Sequence, residues 1–202
     1  MESFSPRMAH LVNALQTLPG VGTKTATRMA LYLVHKDRQS GQVLAAALQD
    51  AVMNVKSCNL CRNISDTDVC NLCTSSRFQS KQLCVVETPS DVVAIEHSGG
   101  FSGKYFVLHG HLSPIDGVGP SELGMDLLEA RVIDESLEEV IVATSTTSEG
   151  EATAVYISDL FQKTNVVVSR IAHGIPVGGE LEYVDMSTIS HALRGRTPID
   201  GV

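Results

Sequence analysis

Four of the chain's five cysteines crowd into one stretch, SCNLCRNISDTDVCNLC, as two Cys-x-x-Cys pairs, Cys58/Cys61 and Cys70/Cys73, with eight residues between them. Folded onto each other, two such pairs set four thiolates at the corners of a tetrahedron. Zinc takes that arrangement because its filled d shell imposes no geometry of its own. The residues around the pairs, Asn59, Asn63, Ser65, Asp66, Asp68 and Asn71, are polar and turn-forming, as a compact metal knuckle requires. A redox motif needs only one pair, with a strand before it and a helix starting inside it. Four sulfur ligands leave no coordination position for water, so the zinc expected here is structural. Cys84, in LCVVE, reads as a small buried apolar residue without a chemical role.

A disulfide framework is not needed. At 202 residues and 43% hydrophobic, the chain can bury a core by itself. No charged segment leading into an apolar signal region opens it, and no run of eighteen apolar residues occurs. Neither secretion nor membrane spanning is expected, and the expected compartment is the cytoplasm. In a reducing compartment paired cysteines are more often metal ligands or catalytic thiols than disulfides.

The net charge of −8 divides unevenly: residues 1–82 carry nine Lys/Arg against five Asp/Glu, and residues 83–202 carry six against eighteen. Four thiolates around one Zn²⁺ would subtract about two charges from the first part. Its basic character is therefore modest and does not alone establish a polyanionic partner.

The amino-terminal third reads as helical. SPRMAHLVNALQ offers Ser5 as N-cap, Pro6 at the first helical position and a stripe of Met8, Leu11, Val12 and Leu15. Pro19, Gly20 and Gly22 then make a tight turn before a second helix from about Thr23, whose Ala26, Met29, Ala30 and Leu33 are expected to face the first. Such a hairpin leaves backbone N–H groups free where the second helix starts, with Lys24 and Arg28 one turn apart beside them, an arrangement suited to phosphate. The plainer alternative is an ordinary helix turn with two surface basic residues. GVGTKT is not a P-loop, because the Gly-x-x-x-x-Gly-Lys-Ser/Thr order is absent and a helix precedes the turn. SGKY at 102–105 has Tyr105 where the magnesium-binding hydroxyl belongs. A third stretch, GQVLAAALQDAVMNVKSC, aligns Leu44, Leu48, Ala51, Val52 and Val55 and is expected to pack on the hairpin.

From residue 83 the period changes. LCVVE (83–87), YFVLHG (105–110), EVIVAT (139–144) and NVVVSR (165–170) read as strands alternating with the helical DVVAIEHS, SELGMDLLEARV and EATAVYISDLFQ. Alternation of this kind implies a parallel sheet with helices on its faces, and the working residues of such a sheet lie beyond the strands' carboxyl ends. Glu87 ends the first strand; Glu149 and Glu151 follow the third. These acids could hold Mg²⁺ through oxygen. Equally, Glu149 and Glu151 could do no more than complement the dipole of the helix they open. In the tail, Ile171, Ile175, Val177, Leu181 and Val184 present more apolar surface than a short terminal segment hides alone, which suits a subunit-joining element.

In order along the chain, LPGVGTKTATRMA, the four-cysteine knuckle, VVETPSD, GHLSPIDGVGP, EGEATAVYI and SRIAHGIPVGGELEYVD resemble the bacterial recombination mediator family RecR from end to end. The resemblance implies an α/β fold class with an all-α amino-terminal part. Its parts are a helix-hairpin-helix DNA-binding domain over 1–56, a four-cysteine zinc finger over 57–80, a Toprim domain over 81–170 with a parallel sheet and flanking helices, and a carboxyl-terminal oligomerisation arm over 171–202. Carried over residue by residue, DNA contact falls on Gly20, Gly22, Lys24 and Arg28, and zinc ligation on Cys58, Cys61, Cys70 and Cys73. The Toprim acids fall on Glu87, Glu149 and Glu151, as a site for Mg²⁺ or for a partner. The family forms ring-like tetramers and acts with RecO, and in many bacteria RecF, to load recombinase onto single-stranded DNA coated by single-strand-binding protein. The expected partners are therefore DNA, single- and double-stranded, RecO, RecF and further copies of the chain. One departure stands out: Ser145, Thr146, Thr147 and Ser148 stand where the family usually reads Asn-Pro-Thr before Glu-Gly-Glu. LEYVD, ending at Asp185, matches a segment called Walker-B-like, yet without a Walker A there is no physical case for ATP hydrolysis.

Two function classes follow, a non-enzymatic DNA-binding scaffold and a magnesium-dependent phosphoryl-transfer enzyme. The scaffold is the expectation. Tyr32, Tyr105, Tyr156 and Tyr183 all fall in predicted helices or strands, so no nucleophile is presented, and no basic cluster is evident beside the acids to hold a scissile phosphate. Any Mg²⁺ is not expected to be catalytic.

Overall fold

The computed structural model describes residues 4–196 and divides the chain into two compact units, Met1–Val55 and Lys56–Val202. Residues 1–3 of the expected first domain and 197–202 of the expected arm lie outside the described residues.

The first unit holds α1 (Pro6–Leu15), α2 (Thr23–Leu31), a π-helical turn (Tyr32–Lys36) and α3 (Arg38–Asn54). Ser5 caps α1 by accepting from the Met8 N–H at 3.4 Å, and Pro6 takes the first helical position. Val12 packs fully buried against Ala26 and Ala30, ringed by Met8, Leu11, Leu15 and Val21. Burying a large aliphatic side chain contributes about 1.5–3 kcal/mol, so a seam of one valine and two alanines is thin. Met29, expected on that seam, is exposed, because each residue turns a helix by about 100° and Ala26 and Ala30 already define the contact line.

The expected packing of α3 is corrected. Asp37 caps this helix, accepting from the Ser40 N–H at 2.9 Å, but none of its residues is buried, and Leu44, Leu48 and Val52 are 51%, 62% and 75% exposed. A groove of about 450 Å³ lined by Leu11, Leu15, Leu33, Val34, Leu44 and Leu48 lies along it. The first two helices close their seam without α3, whose main contact is with the π-helical turn.

The second unit opens with the knuckle: β1 (Lys56–Ser57) pairs antiparallel with β2 (Ile64–Ser65), followed by α4 (Asn71–Thr74) and a 3-10 turn (Ser76–Gln79). Then come β3 (Gln82–Val86), α5 (Pro89–Ser98), β4 (Lys104–Val107), α6 (Met125–Asp134), β5 (Glu139–Ala143), α7 (Ser148–Phe161) and β6 (Val167–Arg170). The four main strands are parallel in the order β4-β3-β5-β6. Alternation sends Leu83, Val85, Phe106, Val140 and Val142 to one face, against Leu128 and Val132 of α6 and Ile157 and Phe161 of α7. Cys84, Val86, Tyr105 and Val107 meet Val92 of α5 on the other. Cys84 is buried as expected, and burial pushes its thiol up to about 12. The second strand ends at Val107 and not at 110, because His109 turns the chain with φ +62°.

The register pairs Val86 with both Val107 and Ala143, and Val142 with Arg170. Glu87, the loop after β5 and Arg170 therefore emerge at one edge of the sheet. Beyond it run a 3-10 turn (Leu181–Tyr183) and α8 (Met186–Arg194). Among the described residues no helix is long and apolar enough to cross a membrane.

Candidate functional sites

The hairpin between α1 and α2 is closed by the Val21 N–H donating to Leu18 O at 3.1 Å. Thr23 Oγ1 donates to Gln16 Oε1 at 2.9 Å, tying the start of α2 to the end of α1. Gly20 sits at φ +78°, which a side chain would strain. Gly22 is different: its φ is −81°, and an added Cβ would meet nothing within 4 Å. Neither backbone nor internal packing asks for glycine there. As N-cap of α2, Gly22 leaves the first-turn N–H groups without a side-chain acceptor, and no acidic residue occupies that turn. The partly positive helix end stays open to solvent, with Lys24 and Arg28 exposed on the same helix. An exposed helix end with Lys24 in its first turn and Arg28 one turn on suits a phosphate backbone and carries no base-reading geometry.

The knuckle brings all four predicted cysteines together. Their Sγ atoms lie within 4.8 Å of one another, and all four residues are buried. Cys58 and Cys73 are 3.9 Å apart at sulfur, Cys61 and Cys70 3.4 Å. A tetrahedral Zn–S bond of about 2.3 Å places sulfurs roughly 3.8 Å apart, so the donor set fits a tetrahedral thiophilic ion. Backbone hydrogen bonds fix both turns: Arg62 N–H donates to Cys58 O at 2.8 Å and Cys73 N–H to Cys70 O at 3.0 Å, while Cys70 N–H points at the Cys58 sulfur at 3.3 Å. A hydrogen bond with Cys73, together with burial, pushes the Cys61 thiol up, and burial pushes Cys70 up to about 11. On Cys58, burial is outweighed by backbone N–H bonds from Cys61, Cys70 and Leu60, which bring it down to about 6. A bound divalent cation would supply the charge that lets all four be thiolates.

The knuckle is built onto the α/β unit. Val107 N–H donates to Cys61 O at 2.9 Å. Arg131 of α6 donates through Nη1 to Leu60 O at 2.8 Å and to Tyr105 O at 2.7 Å, and through Nε to Glu135 at 2.9 Å. Glu135 also pairs with Lys104. His109 donates to Arg62 O at 2.6 Å, and the Arg62 guanidinium reaches Leu123 O and lies over the Phe106 ring.

The three predicted acids belong to segments that follow β3 and β5, but among the described residues their carboxylates do not form one cluster of donor atoms. Glu149 and Glu151 fall in the first turn of α7, where they complement its dipole. Glu87 accepts from the Ser145 N–H at 2.8 Å, and its other oxygen lies 3.5 Å from His111 Nδ1. Glu151 pairs with Arg170, whose Nη2 donates to Ser145 O at 3.0 Å. One cation, Arg170, therefore stands beside Glu151, which is less than the basic cluster that holding a scissile phosphate would take. In the loop that departs from the family pattern, Thr147 caps α7 by accepting from Gly150 N–H at 3.2 Å, and the Ser145 and Thr147 hydroxyls meet at 2.8 Å. Asp185 is a helix cap: it accepts from the Thr188 N–H at 2.9 Å and hydroxyl at 2.6 Å, and the Ser187 and Thr188 hydroxyls hold its carboxyl well below the ordinary range.

Comparison with known proteins agrees with these parts. A family profile described as "RecR, helix-hairpin-helix" matches residues 8–52, "Toprim domain" matches 81–172, and "RecR, C-terminal" matches 174–197. The recombination protein RecR of Saccharophagus degradans is 54% identical over 196 residues, 97% of this chain and all of that protein.

Proposed function

Because the chain belongs to the RecR family of recombination proteins, we propose that it is a non-catalytic DNA-binding mediator of recombinational repair. In this reading it works in the cytoplasm with RecO, and with RecF where that protein is present, to load recombinase onto single-stranded DNA coated by single-strand-binding protein. The observation that carries the reading is the open amino terminus of α2 at Gly22, with Lys24 exposed in its first turn and Arg28 exposed one turn further along the helix. Gly20, Gly22, Lys24 and Arg28 form its DNA contact, single- or double-stranded, through phosphates. Reversing the charges of Lys24 and Arg28 and measuring DNA affinity tests this reading.

The four cysteines hold structural zinc in this account. Freshly purified, reduced protein is expected to carry about one zinc per chain, the stoichiometry of a closed four-thiolate site. Cys58→Ser or Cys73→Ser is expected to lose the metal and lower solubility and melting temperature together, since metal binding is folding energy for so small a knuckle. Metal analysis that finds no zinc in the unmodified protein would remove the assignment.

The functional form is a homo-oligomer, with a tetrameric ring as the expected state. One hairpin makes few phosphate contacts, and a chain of net charge −8 is repelled by DNA at long range, so several hairpins must be held together. Two apolar surfaces are available for that: the uncovered stripe of α3, and the tail, where Val177 and Leu181 are fully or largely exposed. Leu48→Glu with Val52→Glu is expected to reduce the mass seen by light scattering without unfolding the chain, because neither residue is buried. An unchanged mass would put the interface elsewhere.

A further inference from the structure

The Toprim match implies a divalent cation among the acids at the sheet's carboxyl edge, and the residues of this chain do not fit one. Among the described residues the cysteine cluster is the one group of three or more ligands whose donor atoms lie within 4.8 Å of one another; Glu87, Glu149 and Glu151 are not such a group. Both of the acids that face the edge loop are already engaged. Glu87 gives one oxygen to the Ser145 N–H and faces His111 with the other, and Glu151 is ion-paired with Arg170. We propose that Arg170 stands where a metal would stand: its guanidinium is the resident cation of the acidic site, so the site neither needs nor admits Mg²⁺.

The geometry shows how one side chain does this. Arg170 is the last residue of β6 and emerges at the same edge as Glu87. One of its terminal nitrogens meets Glu151 and the other meets Ser145 O at 3.0 Å, while the N–H of that same Ser145 is held by Glu87. Glu87, Ser145, Arg170 and Glu151 thus form one chain of contacts, and the loop between β5 and α7 hangs on it from both sides of a single residue. The Arg170 Nε is out of contact with solvent and has no hydrogen-bond partner, so the stem is sunk at the edge and only the terminal nitrogens are committed. A cavity of about 370 Å³, bordered by Thr146, Glu151, His173, Ser187, Thr188 and His191, lies alongside, and Glu151 is 44% exposed. Ions can therefore reach the pair, so access is no bar: a divalent cation is opposed by the positive charge already bound to Glu151 and by the engagement of Glu87 with Ser145 and His111.

The inference rests on the Toprim identification and is independent of the DNA-mediator reading. Its test is Mn²⁺ titration of the zinc-loaded full chain, followed by the electron paramagnetic resonance signal of free Mn²⁺. Wild type and Arg170→Lys, which keeps the cation, are expected to leave that signal unchanged. Arg170→Gln is expected to take up Mn²⁺ at least roughly tenfold more tightly than wild type, because the unit charge beside the carboxylate is gone. Adding Glu151→Gln to Arg170→Gln should abolish the uptake. A purely structural role for Arg170 would instead make the Lys and Gln variants behave alike. Equal uptake by wild type and Arg170→Gln, or none by a folded Arg170→Gln, overturns the proposal. If Arg170→Gln does not fold, wild type decides: Mn²⁺ uptake abolished by Glu151→Gln overturns the proposal, and no uptake supports it.

Discussion

Replacing Arg131 with leucine should destabilise the second unit by about 3–5 kcal/mol, the cost of breaking a buried ion pair from one side. The side chain is 7% exposed and ties three places together: Glu135 one turn on, Tyr105 O in β4 and Leu60 O inside the knuckle. Leucine fills part of the volume but leaves two carbonyls without their donor and leaves Glu135 with Lys104 alone. At ordinary urea slopes of about 1–3 kcal/mol per molar, the unfolding midpoint of the zinc-loaded protein should drop by roughly 1 M or more. A loss below about 1 kcal/mol would show that the knuckle is held by its metal and the other contacts. The pH dependence adds a second readout. Burial raises the Glu135 pKa, but hydrogen bonds from Lys104 and Arg131 outweigh it and hold the value below the ordinary 4.5. A depressed carboxylate contributes stability that is complete above the unfolded-state value and fades as the pH falls through the folded-state one. Wild type should thus lose stability as the pH drops below about 4.5, and the leucine variant should lose less over that interval.

The i,i+4 pair with Glu135 is readable in the sequence, but nothing there marks Arg131 as a tie, because its other two partners are backbone carbonyls 71 and 26 residues away. The strands, by contrast, announce themselves by composition, and the four parallel ones fall where their apolar runs do. The α3 stripe shows the limit of periodicity: Leu44, Leu48 and Val52 do share a face, but a pattern says which side of a helix is apolar and not what covers it. Cysteine spacing likewise singled out the four thiols that cluster without revealing that the knuckle is bonded along its backbone to β4 and α6.

Reversing both hairpin cations, Lys24→Glu with Arg28→Glu, should weaken DNA binding by on the order of 100-fold at moderate salt, since each contact is lost in every subunit that engages the strand. If these residues meet phosphates and not bases, as proposed, the loss should be the same for all sequences. Both side chains are exposed, and the Val12–Ala26–Ala30 seam does not include them, so melting temperature and oligomer mass should hold. Gly22→Asp makes an independent probe: an acidic cap has room there and occupies the free N–H groups, so DNA affinity should fall while the helix gains slightly. Retained affinity in both variants would move the DNA site to another surface.

The hairpin was legible because helix termini have a simple grammar: a glycine turn, an uncapped start, then cations one turn apart along the helix. Arg170 went unremarked because a charge tally of residues 83–202, six basic against eighteen acidic, averages away a single cation paired with one of the acids. The rule that singled out Glu87 at the end of β3 applies equally to NVVVSR, and it would have placed Arg170 at the same edge. Asp185 carried its own explanation in DMST, whose Ser187 and Thr188 supply the hydroxyls of a helix cap.

Salt dependence reports directly whether this chain engages DNA through phosphate contacts at the α2 start. For single-stranded DNA the logarithm of affinity should fall linearly with the logarithm of salt concentration, and each phosphate contact should contribute about 0.7 to the slope. Comparing wild type with the Lys24→Glu, Arg28→Glu variant at equal oligomer mass, the slope should become shallower by about 1.4 for every hairpin engaged. An identical slope in the two proteins would contradict the account.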